Sequence, residues 1–204
     1  MRSICCFLIV LAFVAHAADA PAKRYFPDSP RLVVLYQEDQ DDRHGFPNTK
    51  RSYKEINERD EARRQEILTL LAQGKVRTAQ DYFYSAVIFH HGQTNDHYRT
   101  ASSLAWIAAT LDPKPDYLYL SASTWDRMMV KREQPQWYGA QEERDKDGKR
   151  IGHFPINDTA VTDDERARFQ IKPRARLMAE PDQSARWPPE MTETRADQQS
   201  TAKH

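Results

Sequence analysis

The sequence predicts an all-α fold, a compact helical bundle of about five main helices followed by an irregular C-terminal segment. Two observations lead to this prediction. Apolar residues recur three and four positions apart in five consecutive segments, which is the period of an amphipathic helix. Residue types that begin or end helices stand at the borders of these segments, as at Pro30, Gly74, Thr78, Gly92 and Pro113.

The first 17 residues, MRSICCFLIVLAFVAHA, have the pattern of a signal peptide. One positive charge at Arg2 precedes an apolar run over residues 4–14, and small residues favour a cleavage site after Ala17, with a second site after Ala20 as the alternative. The run is shorter than the about 20 apolar residues that a membrane span needs. We therefore expect an exported protein, periplasmic or extracellular, with no integral membrane segment after cleavage.

Composition excludes several kinds of chemistry in the mature chain. Both cysteines, Cys5 and Cys6, lie inside the predicted signal peptide, so no disulfide, thiol nucleophile or cysteine-ligated metal is expected. The 30 Lys and Arg residues balance 30 Asp and Glu residues, and no overall field would recruit nucleic acid. We expect no cofactor, an extended lead-in over residues 18–29 and one helical domain over residues 30–179.

The first helix is predicted to begin at Pro30, since proline suits the first helical turn. Its polar end covers residues 37–43, where Asp39, Gln40 and Arg43 share one side because they are one helical turn apart. Two interpretations of these side chains remain open. They form a solvated helix end, or Asp39 and Arg43 join a central polar site.

The second helix is predicted over residues 50–73 and ends at Gly74. We expect its charged run RDEARRQE, residues 59–66, to be a solvated face with compensating pairs. The third helix begins after a cap at Thr78, and the fourth covers about residues 96–111. These two resemble one helical hairpin of the tetratricopeptide kind, but no second copy follows at that period, so no solenoid is predicted.

Two adjacent histidines, His90 and His91, end the third helix. Neighbouring residues on a helix point about 100 degrees apart, and no HExxH or comparable spacing accompanies the pair. We therefore predict no metal site. One ring is expected to face the core and the other to lie at the helix end, with acid-base or hydrogen-bonding chemistry as the alternative role.

The fifth helix is predicted from Pro115 into residue 130 and leads into a polar loop. Asp126 and Arg127 interrupt its apolar face, and a charge beside a core must be paired or used. In the loop QWYGAQ, residues 136–141, amide and phenol groups surround a glycine and can bind a ligand or brace the turn. Residues 142–153 are expected to be an exposed loop, two short helical segments follow, and residues 180–204 have the composition of a disordered tail.

Several short motifs occur together in one order. They are DQxxR at Asp39, Gln40 and Arg43, AVIFHHG at 86–92, DR at Asp126 and Arg127, QWYGAQ at 136–141, PIND at 155–158 and DDERAR at 163–168. In this order the chain resembles, over about residues 30–175, an uncharacterised bacterial domain family marked by a DR pair and a QxYGTQ loop. Ala140 replaces the usual threonine of that loop, and His90 stands where glutamine is common. The resemblance implies a shared helical fold and a shared polar cluster.

Two functional hypotheses of different class follow. In the first, a pocket binds a polar or peptide-like ligand through Asp39, Arg43, Arg127, Gln136 and Gln141. Arg127 would hold an anionic group, and the candidates for chemistry are Asp126, His91 and Tyr138. No Ser-His-Asp order, phosphate loop or metal set names a reaction, so whether the protein is an enzyme is left open.

In the second hypothesis the protein binds another protein in the periplasm, as an inhibitor or immunity partner does. The polar cluster would then only brace the bundle. Such a surface should show exposed aromatic residues, for which Trp137, Tyr138 and Trp187 are the candidates.

Overall fold

Five main helices follow one another in the computed structural model, which describes residues 26–44, 51–144 and 150–179. They are α1 Pro30–Arg43, α2 Tyr53–Ala72, α3 Ala79–His90, α4 Asn95–Leu111 and α5 Pro115–Lys131. Two short strands, β1 Glu142–Arg144 and β2 Arg150–His153, and two short helices, α6 Asp163–Arg168 and α7 Arg174–Met178, come after them. The predicted all-α bundle with an irregular C-terminal segment is confirmed. The predicted signal peptide and the predicted tail from residue 180 lie outside the described residues.

Local hydrogen bonds explain where the helices begin and end. The Thr78 hydroxyl accepts the backbone N–H of Asp81 at 3.0 Å, which confirms the predicted cap of α3. Gly74 ends α2 with a φ of +63°, a conformation that glycine adopts without steric cost. The N–H of Lys75 then reaches the carbonyl of Leu70 at 2.9 Å, as in a Schellman motif.

Helix α3 lies at the centre of the bundle. It contacts α1, α2, α4 and α5, and its contact with α4 is the most extensive. Only residues 91–94 join α3 to α4, so the two form the helical hairpin that the sequence predicted. The main core is made by apolar residues of these helices and the turn before α3: Leu32, Leu35, Ile67, Leu70, Val76, Ala86, Ile88, Phe89, Ala101, Leu104, Ala105 and Leu120.

A few charged residues of α1 and α2 face each other and are buried. Asp42 and Asp60 are 2% and 1% exposed, and Arg63 donates to both, at 2.8 Å and 2.5 Å. The prediction of a solvated face over residues 59–66 is therefore wrong for Asp60, Arg63 and Arg64. Opposite charges on the two helices compensate each other, which allows them to be buried. The pattern within one helix does not show that the other helix supplies the partner.

Residues 142–144 and 150–153 differ from the exposed loop that the charge of residues 142–153 predicted, and residues 145–149 lie outside the described residues. β1 and β2 pair as an antiparallel hairpin in which Glu142 lies opposite His153, and His153 is only 6% exposed. The segment after β2 lies against the start of the 136–141 loop, where the backbone N–H of Gln136 donates to the carbonyl of Pro155 at 2.8 Å. This pairing brings the hairpin beside the 136–141 loop.

Candidate ligand-binding cavity

The loop of residues 136–141 is built on the carboxylate of Asp126. The two oxygens accept hydrogen bonds of 2.7 to 3.1 Å from four consecutive backbone N–H groups, those of Trp137, Tyr138, Gly139 and Ala140. Asp126 is 0% exposed, and burial raises its pKa to about 6 against the opposing effect of these four donors. Asp126 therefore positions the loop, and it does not line the cavity described below.

The other face of the loop is held by Arg166 of α6. Its guanidinium, 2% exposed, donates to the carbonyls of Tyr138 at 3.1 Å and Trp137 at 3.2 Å. At Gly139 the φ of +90° favours glycine, and a Cβ there would lie 2.5 Å from Leu177 Cδ1. The loop is thus fixed from both sides.

The two glutamines of the loop have different positions. Gln136 is 0% exposed, and its side chain bonds the backbone N–H of Gln141 at 2.9 Å and the backbone carbonyl of Gln141 at 3.1 Å. The side-chain amide of Gln141 donates to the Ser123 hydroxyl of α5 at 2.9 Å, and its oxygen accepts from Arg127 Nε at 3.2 Å. Gln136 braces the loop from inside, whereas Gln141 links it to Arg127.

A cavity of about 660 Å³ lies between α1, α3, α5, the loop and the hairpin. This volume falls in the range of small-molecule sites, about 300 to 1,000 Å³. Three predicted site residues line it, Arg127, His91 and Gln141. Its apolar wall is formed by Tyr36, Val87, Leu120, Ile171 and Leu177.

Arg127 brings a positive charge to this cavity. Nη1 donates to the backbone carbonyl of His90 at 3.2 Å, and the guanidinium carbon lies 5.9 Å from the centre of the Tyr98 ring. Within residues 26–44, 51–144 and 150–179, no carboxylate lies within ion-pair distance of the partly buried Arg127. Its charge is therefore held in place by neutral groups and remains available to an anion.

His91 reaches the cavity from the C-terminal end of α3, where it is the capping residue. Nδ1 lies 3.0 Å and 3.1 Å from the two carboxylate oxygens of Asp39, which is 0% exposed. Arg43 donates to the same carboxylate at 2.8 Å. Asp39 and Arg43 therefore belong to a buried polar network behind His91, in which Arg43 also pairs with Asp60, and neither residue lines the cavity. The interpretation as a solvated helix end is wrong for Asp39.

His90 is the inward-facing member of the histidine pair. Its Nδ1 is buried without a hydrogen-bond partner among the described residues. Burial holds the pKa of His90 well below its usual range, and the positive charges of Arg127 and His91 act in the same direction. His91 is the helix-end ring, as predicted, whereas His90 is partly buried and lines the cavity beside it, so it does not simply face the core.

Tyr138 lies away from the cavity. It is 7% exposed, its ring packs edge-on against Phe169 at 4.9 Å, and burial raises its pKa. Trp137 packs on Trp125 with ring centres 4.7 Å apart, and Trp187 lies outside the described residues. Of the three candidates for chemistry, His91 lines the cavity, whereas Asp126 and Tyr138 do not. The hypothesis that the protein binds another protein stays a prediction.

Sequence reasoning missed several residues of the cavity. Ser123 lies four positions before Arg127, one helical turn away, and this spacing could have identified it. Arg150 and His153 line the cavity only because the hairpin returns across the loop. No local feature of their charged segment indicates that return.

Comparisons with protein-family models, with curated proteins and with solved structures found no match. The resemblance to the domain family with the QxYGTQ loop therefore stays a prediction. In the described ranges, no group of three or more metal-ligating side chains is close enough to hold an ion. None of the helices described here has the length and the apolar content that crossing a bilayer requires.

Proposed function

We propose that the protein binds a small polar ligand through a carboxylate or an equivalent anionic group, with Arg127 as the anchor. The observation that carries the proposal is a cavity-facing guanidinium without an acidic partner in the described part of the chain. A guanidinium binds a planar carboxylate through paired hydrogen bonds, which fixes the ligand's orientation. The neutral bonds to Gln141 and to the His90 carbonyl keep Arg127 in place before the ligand arrives.

The rest of the cavity supports a ligand of mixed character. Polar groups of Gln141 and His91 and apolar side chains that include Val87 and Leu120 line the same cavity. Small-molecule sites usually combine apolar walls with a few placed polar groups. A peptide-like ligand has both kinds of surface.

Binding of a carboxylate panel to the wild-type protein and to Arg127→Met tests this proposal. A carboxylate at about 100 times its Kd should raise the free energy of unfolding of the wild type by about 2.7 kcal/mol. The same ligand should stabilise Arg127→Met far less. Arg99→Met is the matched control, since Arg99 is exposed on α4 and pairs with Asp96. Equal stabilisation of all three proteins would contradict the proposal.

We further propose that binding takes place outside the cytoplasm, in the periplasm or the extracellular space. The signal-peptide pattern of residues 1–17 supports this location. N-terminal sequencing of the protein recovered from its native compartment should begin at Ala18. An intact Met1 on protein retained in the cytoplasm would contradict export.

A further inference from the structure

We infer that Gln170 contacts the ligand and selects for a neutral hydrogen-bonding group beside the carboxylate that Arg127 binds. This inference rests on the proposed function and adds a residue that determines specificity. Gln170 lines the same cavity as Arg127. Arg127 comes from α5 and Gln170 from the turn after α6, so the cavity brings two separate parts of the chain together.

Gln170 has a backbone conformation that favours glycine. Its φ is +60°, in the left-handed region. The N–H of Gln170 donates to the carbonyl of Ala167 at 3.1 Å, and the N–H of Ile171 donates to the carbonyl of Arg166 at 3.0 Å. These two bonds form a Schellman motif that ends α6, and glycine is the usual residue at the position of Gln170. A side chain at this position therefore costs stability relative to glycine.

The ends of α2 and α5 have the same motif and allow a comparison. At the end of α2 the corresponding residue is Gly74, where an added Cβ would have no atom within 4 Å. Glycine therefore serves the backbone conformation there, and lack of space does not require it. At the end of α5 the corresponding residue is Glu133, with a φ of +59°, and it interacts with another residue of the protein. Of these three residues, Gln170 is the one that lines the cavity.

The side chain of Gln170 is available to a ligand. It is exposed, and it makes no hydrogen bond with the residues that the structure describes. The next residue, Ile171, is buried in the apolar cluster that includes Tyr138 and Leu177, so the backbone beside Gln170 is fixed. A side chain that costs stability, has no partner in the fold and lines a cavity has a role in binding.

A glutamine amide selects neutral polar groups. It carries no charge, and it offers one carbonyl acceptor and two N–H donors. A ligand carbonyl or N–H can bond it, whereas an alkyl group of the same shape would cover the amide and leave it without a partner. The ligand therefore carries an amide, or another neutral hydrogen-bonding group, next to its carboxylate.

Two carboxylates of similar shape test the inference by calorimetry on the purified protein. N-acetylglycine has an amide beside its carboxylate, and 4-methylpentanoate replaces this amide by an alkyl group. Wild-type protein should bind N-acetylglycine about tenfold more tightly than 4-methylpentanoate. Gln170→Gly should lose most of this preference. Glu133→Gly, which makes the same change at the same position of the α5 motif, should keep it.

The urea midpoint of Gln170→Gly is a second measurement that needs no ligand. It should equal or exceed the wild-type midpoint, because glycine adopts the left-handed conformation without steric cost. A lower midpoint would show that the side chain of Gln170 serves the fold, which would overturn the inference.

Two results of the calorimetry would also overturn the inference. They are equal binding of the two carboxylates to the wild type and an unchanged preference in Gln170→Gly. In either case the proposed function stands if binding still requires Arg127. If neither carboxylate binds, or if both bind Arg127→Met as tightly as the wild type, the proposed function fails and the inference fails with it.

Discussion

At the scale of single residues, Asp126 and Arg127 are neighbours on α5 with different surroundings. Asp126 is fully buried and accepts four backbone N–H groups, whereas Arg127 lines the cavity and, in the part of the chain that the structure describes, has only neutral hydrogen-bond partners. Substitution of Asp126 should therefore affect stability, and substitution of Arg127 should affect binding. Comparing substitutions at these two neighbouring positions therefore separates a structural role from a ligand-binding role.

Asp126→Asn should lower the free energy of unfolding by about 2 to 4 kcal/mol, because the amide nitrogen cannot accept and leaves buried N–H groups unsatisfied. Urea unfolding measures this loss. Asp116→Asn is the control, since Asp116 is exposed in the first turn of the same helix, where the charge contributes about 0.3 to 1 kcal/mol. Equal urea midpoints for Asp126→Asn and wild type would show that the carboxylate does not hold the loop.

His90 should make the protein less stable in mild acid. Its pKa is lowered on folding by burial, so below the ordinary histidine pKa of about 6.5 the unfolded chain binds more protons than the folded protein. The contribution of neutral His90 to the free energy of unfolding is therefore fully present above about pH 6.5. It is lost as the pH falls below that value, by up to about 1.4 kcal/mol per pH unit. Asp126, whose pKa is raised, contributes with the opposite sign between about pH 4 and 6.

Urea unfolding of wild type and His90→Gln across pH 5 to 8 isolates this effect, since Asp126 is common to both proteins. The stability of His90→Gln relative to wild type should rise as the pH falls below about 6.5. His44→Gln, at an exposed position, should follow the wild type. A difference between His90→Gln and wild type that does not change with pH would contradict a buried neutral His90.

At the scale of helices, the capping boxes of α2 and α3 have the same local pattern but different tertiary contacts. Glu55 bonds only Ser52 at its helix start and is exposed. Asp81 is 1% exposed, and it accepts the backbone N–H groups of Arg77 at 3.0 Å and of Ser29, ahead of α1, at 2.8 Å. Asp81 therefore joins two helix starts.

Glu55→Ala should lower the free energy of unfolding only slightly, because Glu55 is exposed, whereas Asp81→Ala should lower it by about 2 to 4 kcal/mol, because several donors lose their acceptor. Both variants change the third helical position of a capping box. The difference between their losses in chemical denaturation therefore measures how much the tertiary contacts of Asp81 contribute. If both cost the same, the bond from Ser29 to Asp81 contributes nothing to holding α1.

At the scale of the whole molecule, Arg166 connects the C-terminal segment to the bundle through the 136–141 loop. Arg166→Met should speed amide hydrogen exchange in residues 136–141 and 150–179, since the loop carbonyls lose their donor. The α3–α4 hairpin should keep its protection. Arg168→Met, at an exposed position of α6, is the control. Faster exchange spread evenly over all helices would show that the two regions unfold as one unit.

The sequence by itself determined the helices and part of the site. Helical spacing and end residues such as Pro30, Thr78 and Gly74 act over a few residues, so they can be recognised without a fold. The same reasoning named Arg127 as a charge that must be paired or used, and it offered Asp39 and His91 as candidates beside structural alternatives. Local chemistry was sufficient because each of these signals depends on near neighbours in the chain.

The tertiary structure alone decided which polar groups brace the protein and which face the cavity. Asp126 and Arg127 are adjacent and equally polar in the sequence, yet one is enclosed by the loop and the other opens onto the cavity. The burial of Asp60 and the return of the hairpin to place His153 also depend on partners far along the chain. Such contacts join residues that are far apart in the sequence. Helical periodicity shows only which residues share a face of one helix, so it cannot predict them.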